Sequence, residues 1–320
     1  MKIDEINSKI LKDLLIDGRK SFKDIAEECN TSKDVIAKRY KQMKSKGIIT
    51  GATIQNSSSC YNSNYIANIE VRTQVQKEDQ VIQALKQVPQ VFDFYSVGIT
   101  PGFVVSVLLK SIDELDNIKD AIKKIPNVLE TETMICTGYR NCPENLSLFN
   151  SQTFSKKKEQ KVVAKKNVLK IDSTDSQIIE LLTRNGRLPF TKISDQLKVS
   201  TDTVIRRYER LKGNNDIRVV IQLDPLKIGY YALAVFKLVF SYADDGFDKA
   251  EALSNIPDVT MIHKTSGRYD FVVLVMVKDI VQLMTVHKQL KNLFGLTYMD
   301  VHFVDLRGSW PIPREFISTF

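Results

Sequence analysis

SKDVIAKRYKQMKSKG, residues Ser32 to Gly47, decides how this chain is read. As a helix it has Ser32 as N-cap, and Ile36, Tyr40 and Met43 recur at i, i+4 and i+7 to form one apolar stripe. The opposite face carries Asp34, Lys38 and Lys41. Upstream, Phe22 to Cys29 reads as a short helix with Ile25 inward, and Asn30 and Thr31 form the polar turn between the two. This is a helix-turn-helix pattern whose second helix presents long cationic side chains, a shape that enters the DNA major groove and reaches phosphates and base edges. The competing reading is a helical hairpin with a solvated charged face.

A second copy begins at Ser200, and a shift of 168 positions aligns the two halves of the chain almost without gaps. Gly18/Gly186, Arg19/Arg187, Phe22/Phe190, Ile25/Ile193, Ser32/Ser200, Arg39/Arg207 and Tyr40/Tyr208 are identical pairs. Further on, Pro89/Pro257, Phe103/Phe271, Val105/Val273 and Leu115/Leu283 pair as well. Both parts of each repeat were therefore duplicated together, and duplication of the basic helix favours the DNA-reading interpretation.

In each repeat the first part is three helices, Ile6 to Ile16 and the two above in the first copy, then an extended Ile48 to Gln55 that forms a wing or a linking strand. The second copy runs Thr174 to Arg184, Phe190 to Leu197, Ser200 to Lys212 and Ile217 to Leu223. The period then changes. Tyr65, Ala67, Ile69 and Val71 alternate with Ile66, Asn68, Glu70 and Arg72, as in a strand. In the second copy the order is strand Tyr231 to Phe240, helix Phe247 to Asn255, strand Val259 to Thr265, strand Phe271 to Val277, helix Asp279 to Leu293 and strand Thr297 to Leu306. That is the ferredoxin-like βαββαβ order. The expected fold class is α+β, two tandem repeats, each a winged helix-turn-helix followed by a ferredoxin-like effector domain. The expected boundaries are 1–56, 57–142, a basic linker 143–170, 171–224, and 225–320 with a C-terminal tail.

The third strands, FVVSVLL from Phe103 and FVVLVMV from Phe271, are apolar on both faces, so something must cover the side away from the helices. A second sheet of the same kind, packed face to face as an internal pseudo-twofold pair, is the simplest cover.

Composition narrows the class. At 320 residues, 43% hydrophobic and 26% charged, the chain has the make-up of a soluble protein of two or more domains. Its longest apolar run, Phe271 to Val277, is too short to span a bilayer, and the amphipathic opening resembles no targeting peptide, so a cytoplasmic protein without a membrane partner is expected. The formal charge of +8 resides mostly in residues 151–170, which carry +6, while residues 1–150 and 171–320 carry +1 each. Such a stretch reads as an extended tether that touches DNA backbone or merely solubilises. Cys29, Cys60, Cys136 and Cys142 show no metal-ligand spacing, and His263, His287 and His302 lie on three different elements, so neither a metal site, a catalytic set nor a cofactor is expected.

With these residues in hand, the chain resembles two fused copies of the leucine-responsive regulator/AsnC (Lrp/AsnC) transcription factors. IDEINSKILKDLLIDGRKSFKDIA and KSKGII look like the family pattern in the first repeat; IDSTDSQIIELLTRNGRLPFTKIS, LDPLKIG and SGRYDF do so in the second. Two departures stand out: GNND at Gly213 to Asp216 where the first repeat has SKGI, and ITPG at Ile99 to Gly102 where the second has GRYD. The resemblance implies a homo-oligomeric regulator of double-stranded DNA that binds small molecules, often amino acids, near the turn before the third strand. The DNA contacts expected on the two Ser-capped helices are Ser32, Lys33, Asp34, Lys38, Lys41 and Lys44, and Ser200, Thr201, Asp202, Arg206 and Arg210. Effector contacts fall at Gly267, Arg268, Tyr269 and Asp270, where a glycine admits backbone N–H groups to a carboxylate, an arginine pairs with it and an aspartate accepts from an ammonium. The alternative is an enzyme like the siroheme decarboxylases, similar in architecture, with His263, Lys264, Arg268 and Tyr269 in its cleft and Tyr95, Ser96, Thr100 and Pro101 at the aligned positions.

Overall fold

The computed structural model describes residues 3–56, 65–96, 101–148, 171–214, 216–241, 248–304, 306 and 308–312. The linker from 151 to 170, Ile99 and Thr100, and the expected helix start at Phe247 lie outside the described residues. Two compact units emerge, and they cut across the repeats: one holds 1–60, 143–230 and 307–320, the other 61–142 and 231–306. Each repeat thus gives its helix-turn-helix to the first unit and its effector domain to the second.

In the first unit, α1 (Glu5–Ile16), α2 (Phe22–Glu28) and α3 (Lys33–Ser45) precede β1 (Ile49–Asn56). Local chemistry sets their ends. Asp4 caps α1, Ser21 caps α2 and Ser32 caps α3, each side chain accepting a hydrogen bond from a first-turn N–H. Gly47 closes α3 in the left-handed conformation at φ 67°, with Ile48 N donating to Met43 O and Gly47 N to Lys44 O. In the second unit, the effector unit, the first repeat continues with β2 (Tyr65–Thr73), α4 (Glu78–Leu85), β3 (Val91–Ser96), β4 (Gly102–Leu109), α5 (Glu114–Lys123) and β5 (Val128–Asn141). The second repeat returns to the first unit with α6 (Ser173–Arg184), α7 (Phe190–Leu197), α8 (Thr201–Gly213) and β6 (Ile217–Leu223). Although GNND replaces SKGI here, Asp216 N donates to Leu211 O just as Ile48 N does to Met43 O, so the same backbone bond follows both helices.

The wing expected of each helix-turn-helix is a strand given to the other repeat. β1 and β6 pair antiparallel, Ala52 opposite Ile221 and Ile54 opposite Val219, as the only members of a two-stranded sheet. α1 packs on β6 and α6 on β1, and Ile54 enters the second repeat's core of Ile178, Leu182, Ile193, Val204 and Tyr208. The glycines of the Asp-Gly-Arg and Asn-Gly-Arg turns make this crossing feasible. A Cβ on Gly186 would lie 2.5 Å from Thr53 O, and one on Gly18 would lie 2.9 Å from Val220 C. Instead Gly18 N donates to Val219 O at 2.7 Å and Gly186 N to Ala52 O at 2.8 Å. The first residues of the expected linker are also packed: Pro143–Asn145 form a 3-10 turn, with Leu146 and Leu148 buried beyond it.

The effector unit is completed by β7 (Ala232–Phe240), α9 (Lys249–Ser254), β8 (Val259–Ser266), β9 (Phe271–Val277), α10 (Ile280–Lys291) and β10 (Leu296–Val304). Its eight strands run in the order β10-β7-β9-β8-β5-β2-β4-β3, two ferredoxin-like sheets joined edge to edge through β5 and β8. On the helix side of the first half, Ala67, Ile69 and Val71 pack with Val105, Val107, Val81, Leu85, Ile118 and Ile122. The other face is covered as the doubly apolar strands require. Met134 of β5 clusters with Val235, Tyr269 and Val272 of the second repeat, and Lys237 on β7 pairs with Glu70 on β2. Those two strands are four places apart in the sheet, about 19 Å if it were flat, so the halves fold over and face each other. Val104 and Val272, at 5% and 4% exposure, lie on this shared face. The face-to-face expectation holds, and the edge-to-edge seam is an addition that the sequence did not suggest.

Candidate DNA-reading faces and effector turn

The two recognition helices rest on their apolar stripes. α3 buries Ile36 and Met43 and sets Tyr40 against Phe22 at 5.2 Å; α8 buries Val204, Tyr208 and Leu211 and sets Tyr208 against Phe190 at 5.0 Å. Lys33, Asp34, Lys38, Lys41 and Lys44 are thereby exposed, as are Asp202, Arg206 and Glu209. Among the described residues none of those four lysines is in an ion pair. Ser32 and Ser200 act as caps, Ser32 Oγ accepting from Val35 N at 3.3 Å and Ser200 Oγ from Thr203 N at 3.2 Å. Thr201 is half-buried, its hydroxyl 3.0 Å from that of Ser194 on α7.

Other arginines face inward. Arg39 Nη1 donates to Asp4 Oδ2 at 2.5 Å and to Asn7 Oδ1 at 3.1 Å. Arg207 Nη1 donates to Asp172 at 2.6 Å and Asp175 at 2.9 Å, and Arg210, expected at the DNA, also pairs with the fully buried Asp175. The N–H of Asp175 and the Arg207 guanidinium hold Asp172 down to about 2. The charge of Arg210 is thus matched from within, although the side chain remains 41% exposed.

Arg19 and Arg187, an identical pair in the two repeats, have a role that the sequence does not announce. Arg19 crosses to the other repeat, donating to Gly186 O at 3.0 Å and Leu188 O at 2.7 Å with its guanidinium 4.3 Å from the Phe190 ring centre. Arg187 reciprocates over Phe22 and Tyr40 at 5.2 and 5.1 Å. The two helix-turn-helix units are clasped by these exchanges. The signal available was the arginine following a glycine in both copies, three residues before a phenylalanine.

The effector turn lies in the other unit. Gly267 has φ 140°, and a Cβ there would meet Thr133 O at 3.1 Å, so the turn abuts β5 of the first repeat. Arg268 is exposed, 3.6 Å from Glu132 and 5.3 Å from the Tyr269 ring centre. Tyr269 is 2% exposed, and burial pushes its hydroxyl up to about 12. Asp270 differs from the expected ammonium acceptor: its Oδ2 accepts from Phe240 N at 2.7 Å and its N–H donates to Leu238 O, which ties the turn to β7. Lys237, 3% exposed, pairs with Glu70 and sits 5.3 Å from the Tyr269 ring centre. Between the sheets, a crevice with an interior of about 10 Å³, room for roughly one water, is lined by Asn68, Glu70, Tyr95, Met134, Lys237 and His302 among others. His263, expected in the cleft of the enzymatic alternative, stacks its ring edge on Tyr139 at 4.9 Å, and burial lowers it to about 4.

Paired helix-turn-helix units with exposed recognition helices, followed in each repeat by a ferredoxin-like domain, the second of which keeps a glycine-arginine turn, define a tandem DNA-reading and ligand-sensing chain. The AsnC-type helix-turn-helix domain matches residues 3–44 and 171–212, and the Lrp/AsnC ligand binding domain matches 66–139 and 243–305. The chain belongs to the Lrp/AsnC family. It is similar to the HTH-type transcriptional regulator FL11 of Pyrococcus horikoshii, 29% identical over 133 residues that make up 42% of this chain and 88% of that protein. An uncharacterized HTH-type transcriptional regulator of the same organism is 32% identical over 117 residues, 35% of this chain and 76% of that one. Along its whole length the fold is similar to the siroheme decarboxylase NirDL, with a TM-score of 0.60, 15% identity, and coverage of 99% of this chain and 94% of that one. Among the described residues no helix is long and apolar enough to cross a membrane.

Proposed function

We propose that this protein is a sequence-specific, DNA-binding transcriptional regulator of the Lrp/AsnC type, modulated by a small molecule such as an amino acid. The observation that carries the reading is that one chain builds a clasped pair of helix-turn-helix units with both recognition helices exposed. Lys33, Lys38, Lys41 and Lys44 contact phosphates or guanine edges from α3, and Arg206 does so from α8. Ser32 and Ser200 position the helix starts rather than read bases, and Arg210 serves the fold through Asp175. In the effector domain Arg268 and the backbone at Gly267 take a ligand carboxylate, with Asp270 bracing the turn. The protein acts in the cytoplasm, as a homo-oligomer of such chains.

Selection of genomic fragments by the purified chain tests the reading: enrichment of discrete sites at moderate salt supports it, and retention of no fragment at low salt refutes it. An effector that alters DNA affinity must have its own affinity altered by DNA to the same factor.

The whole-length likeness to NirDL favours a second reading, an enzyme acting on a tetrapyrrole. Against it, the intersheet crevice has room for roughly one water, and His263 is wedged between Tyr139 and Met261, its Nε2 2.7 Å from the Met261 sulfur. A Soret shift on adding siroheme to the protein would support this alternative, and an unaltered spectrum would count against it.

A further inference from the structure

The scaffold of the DNA-reading unit is nearly symmetric, but the two faces it presents are not. Gly18 and Gly186 each donate a backbone bond to the strand of the opposite repeat, to acceptors one position apart in the alignment, and Arg19 and Arg187 stack on equivalent aromatic pairs, which places α3 and α8 in closely similar settings. Position by position their exposed residues then diverge. Lys33 faces Thr201 in the alignment, Lys41 faces Glu209, and Ala37 faces Ile205, which is 39% exposed.

The difference is one of sign. On α3, Lys33, Lys38, Lys41 and Lys44 stand against Asp34 alone, a net +3. On α8, Arg210 is matched by Asp175 and Lys212 by Asp17 at 3.1 Å, so Arg206 stands against Asp202 and Glu209, a net −1. A face with that charge is repelled by phosphates, yet a carboxylate in the major groove accepts from the cytosine N4 amino group and an exposed isoleucine fits the thymine methyl.

We infer that a single chain reads a duplex whose two half-sites differ, with the first helix-turn-helix supplying most of the electrostatic affinity and the second discriminating bases through Asp202, Ile205 and Glu209. Two identical units related by a twofold axis require a palindrome. Two unlike units on one chain do not. This inference rests on the DNA-binding reading above, and the experiment separates the two.

Duplexes are selected from a random pool by the full chain, and the best site is then rebuilt as two artificial palindromes, each repeating one half. The expected result is a site with unlike halves in fixed order, and at least about tenfold weaker binding of one chain to either palindrome, as one or more mismatched pairs would cause. Lys41→Ala lowers the slope of log affinity against log salt by about one and leaves the base preference alone, while Glu209→Lys raises it by about one and alters preference in one half only. Within the stretch of duplex covered by one chain, enrichment of an inverted repeat with identical halves, or equal binding to the selected site and to both palindromes, overturns the inference and leaves the regulator reading standing. Retention of no duplex at low salt overturns both.

Discussion

Removal of the Lys237 ammonium is expected to loosen the effector unit by a predictable amount. Lys237 is 3% exposed and its partner Glu70 lies on the other half of the curled sheet, so Lys237→Met leaves a carboxylate facing an apolar crevice. Breaking a fully buried pair costs about 3–5 kcal/mol, and because the Glu70 side chain is 21% exposed, water takes part and the expected loss is about 2–3 kcal/mol. For a unit of this size that corresponds to a fall in melting temperature of about 5–10 °C. The double variant Lys237→Met/Glu70→Leu removes the stranded charge and should return to within about 1 kcal/mol of the parent, giving a large coupling in the double-mutant cycle. Trp310 is the one tryptophan of the chain and lies in the DNA-reading unit, so fluorescence reports that unit, and the effector unit is read as the far-UV circular dichroism transition that fluorescence does not follow. A coupling near zero, with Lys237→Met melting at the parent temperature, would refute the folding-over of the two sheet halves, since Lys237 and Glu70 meet only if that occurs.

Charge on the shared face tests the same arrangement more severely: Val104→Asp with Val272→Asp buries two unpaired carboxylates and should cost several kcal/mol, about 2–3 per site, read as loss of the effector-unit transition. In the DNA-reading unit, Gly186→Ala drives a Cβ to 2.5 Å from Thr53 O and should lower the urea midpoint by the equivalent of about 1–3 kcal/mol, whereas an unchanged midpoint would refute the close crossing of strand and turn. Hydrogen bonds from Lys20 and Lys9 hold Glu28 down to about 2, so its contribution is complete above about pH 4.5 and lost as pH falls through 2. Glu28 is largely solvent-exposed, so the effect is small, under about 1 kcal/mol, and Glu28→Gln should flatten the dependence of Trp310-monitored stability on pH between 5 and 2.

The elements themselves were legible because each is written locally. The strand expected from Phe271 to Val277 is β9 with those bounds, and Ser32 and Ser200 cap their helices as their position before an apolar stripe requires. The doubly apolar strands announced a covered second face, since burial on both sides leaves a run with no alternation. What covers it, and which strand takes which partner, depends on contacts between residues more than 100 positions apart, and such contacts leave no period behind. Ile48 to Gln55 has the same pattern whether it folds back as a wing or crosses to β6. The choice is made by Gly186, whose missing side chain admits Thr53, and by Arg19, whose guanidinium reaches Phe190.

Charged side chains were the least legible, because their chemistry is the same whether they meet solvent, ligand or the protein's own backbone. Arg206 and Arg210 look alike in sequence, one exposed beside Asp202 and Glu209, the other bound to Asp175, 35 residues earlier on α6. Asp270 looked like an acceptor for a ligand ammonium and instead accepts from Phe240 N. Its replacement by alanine would therefore release the turn that carries Arg268 as well as remove a charge, and loss of a response in that variant would not by itself place a ligand at Asp270. Arg268→Ala is the cleaner probe, since that side chain is exposed and its ion-pair contact among the described residues, to Glu132 at 3.6 Å, lies beyond hydrogen-bonding distance. With the turn intact, a response lost in Arg268→Ala and retained in Arg72→Ala, an exposed arginine paired with Glu130 on the same sheet, would assign the carboxylate-binding role to Arg268; equal responses in both would withdraw it.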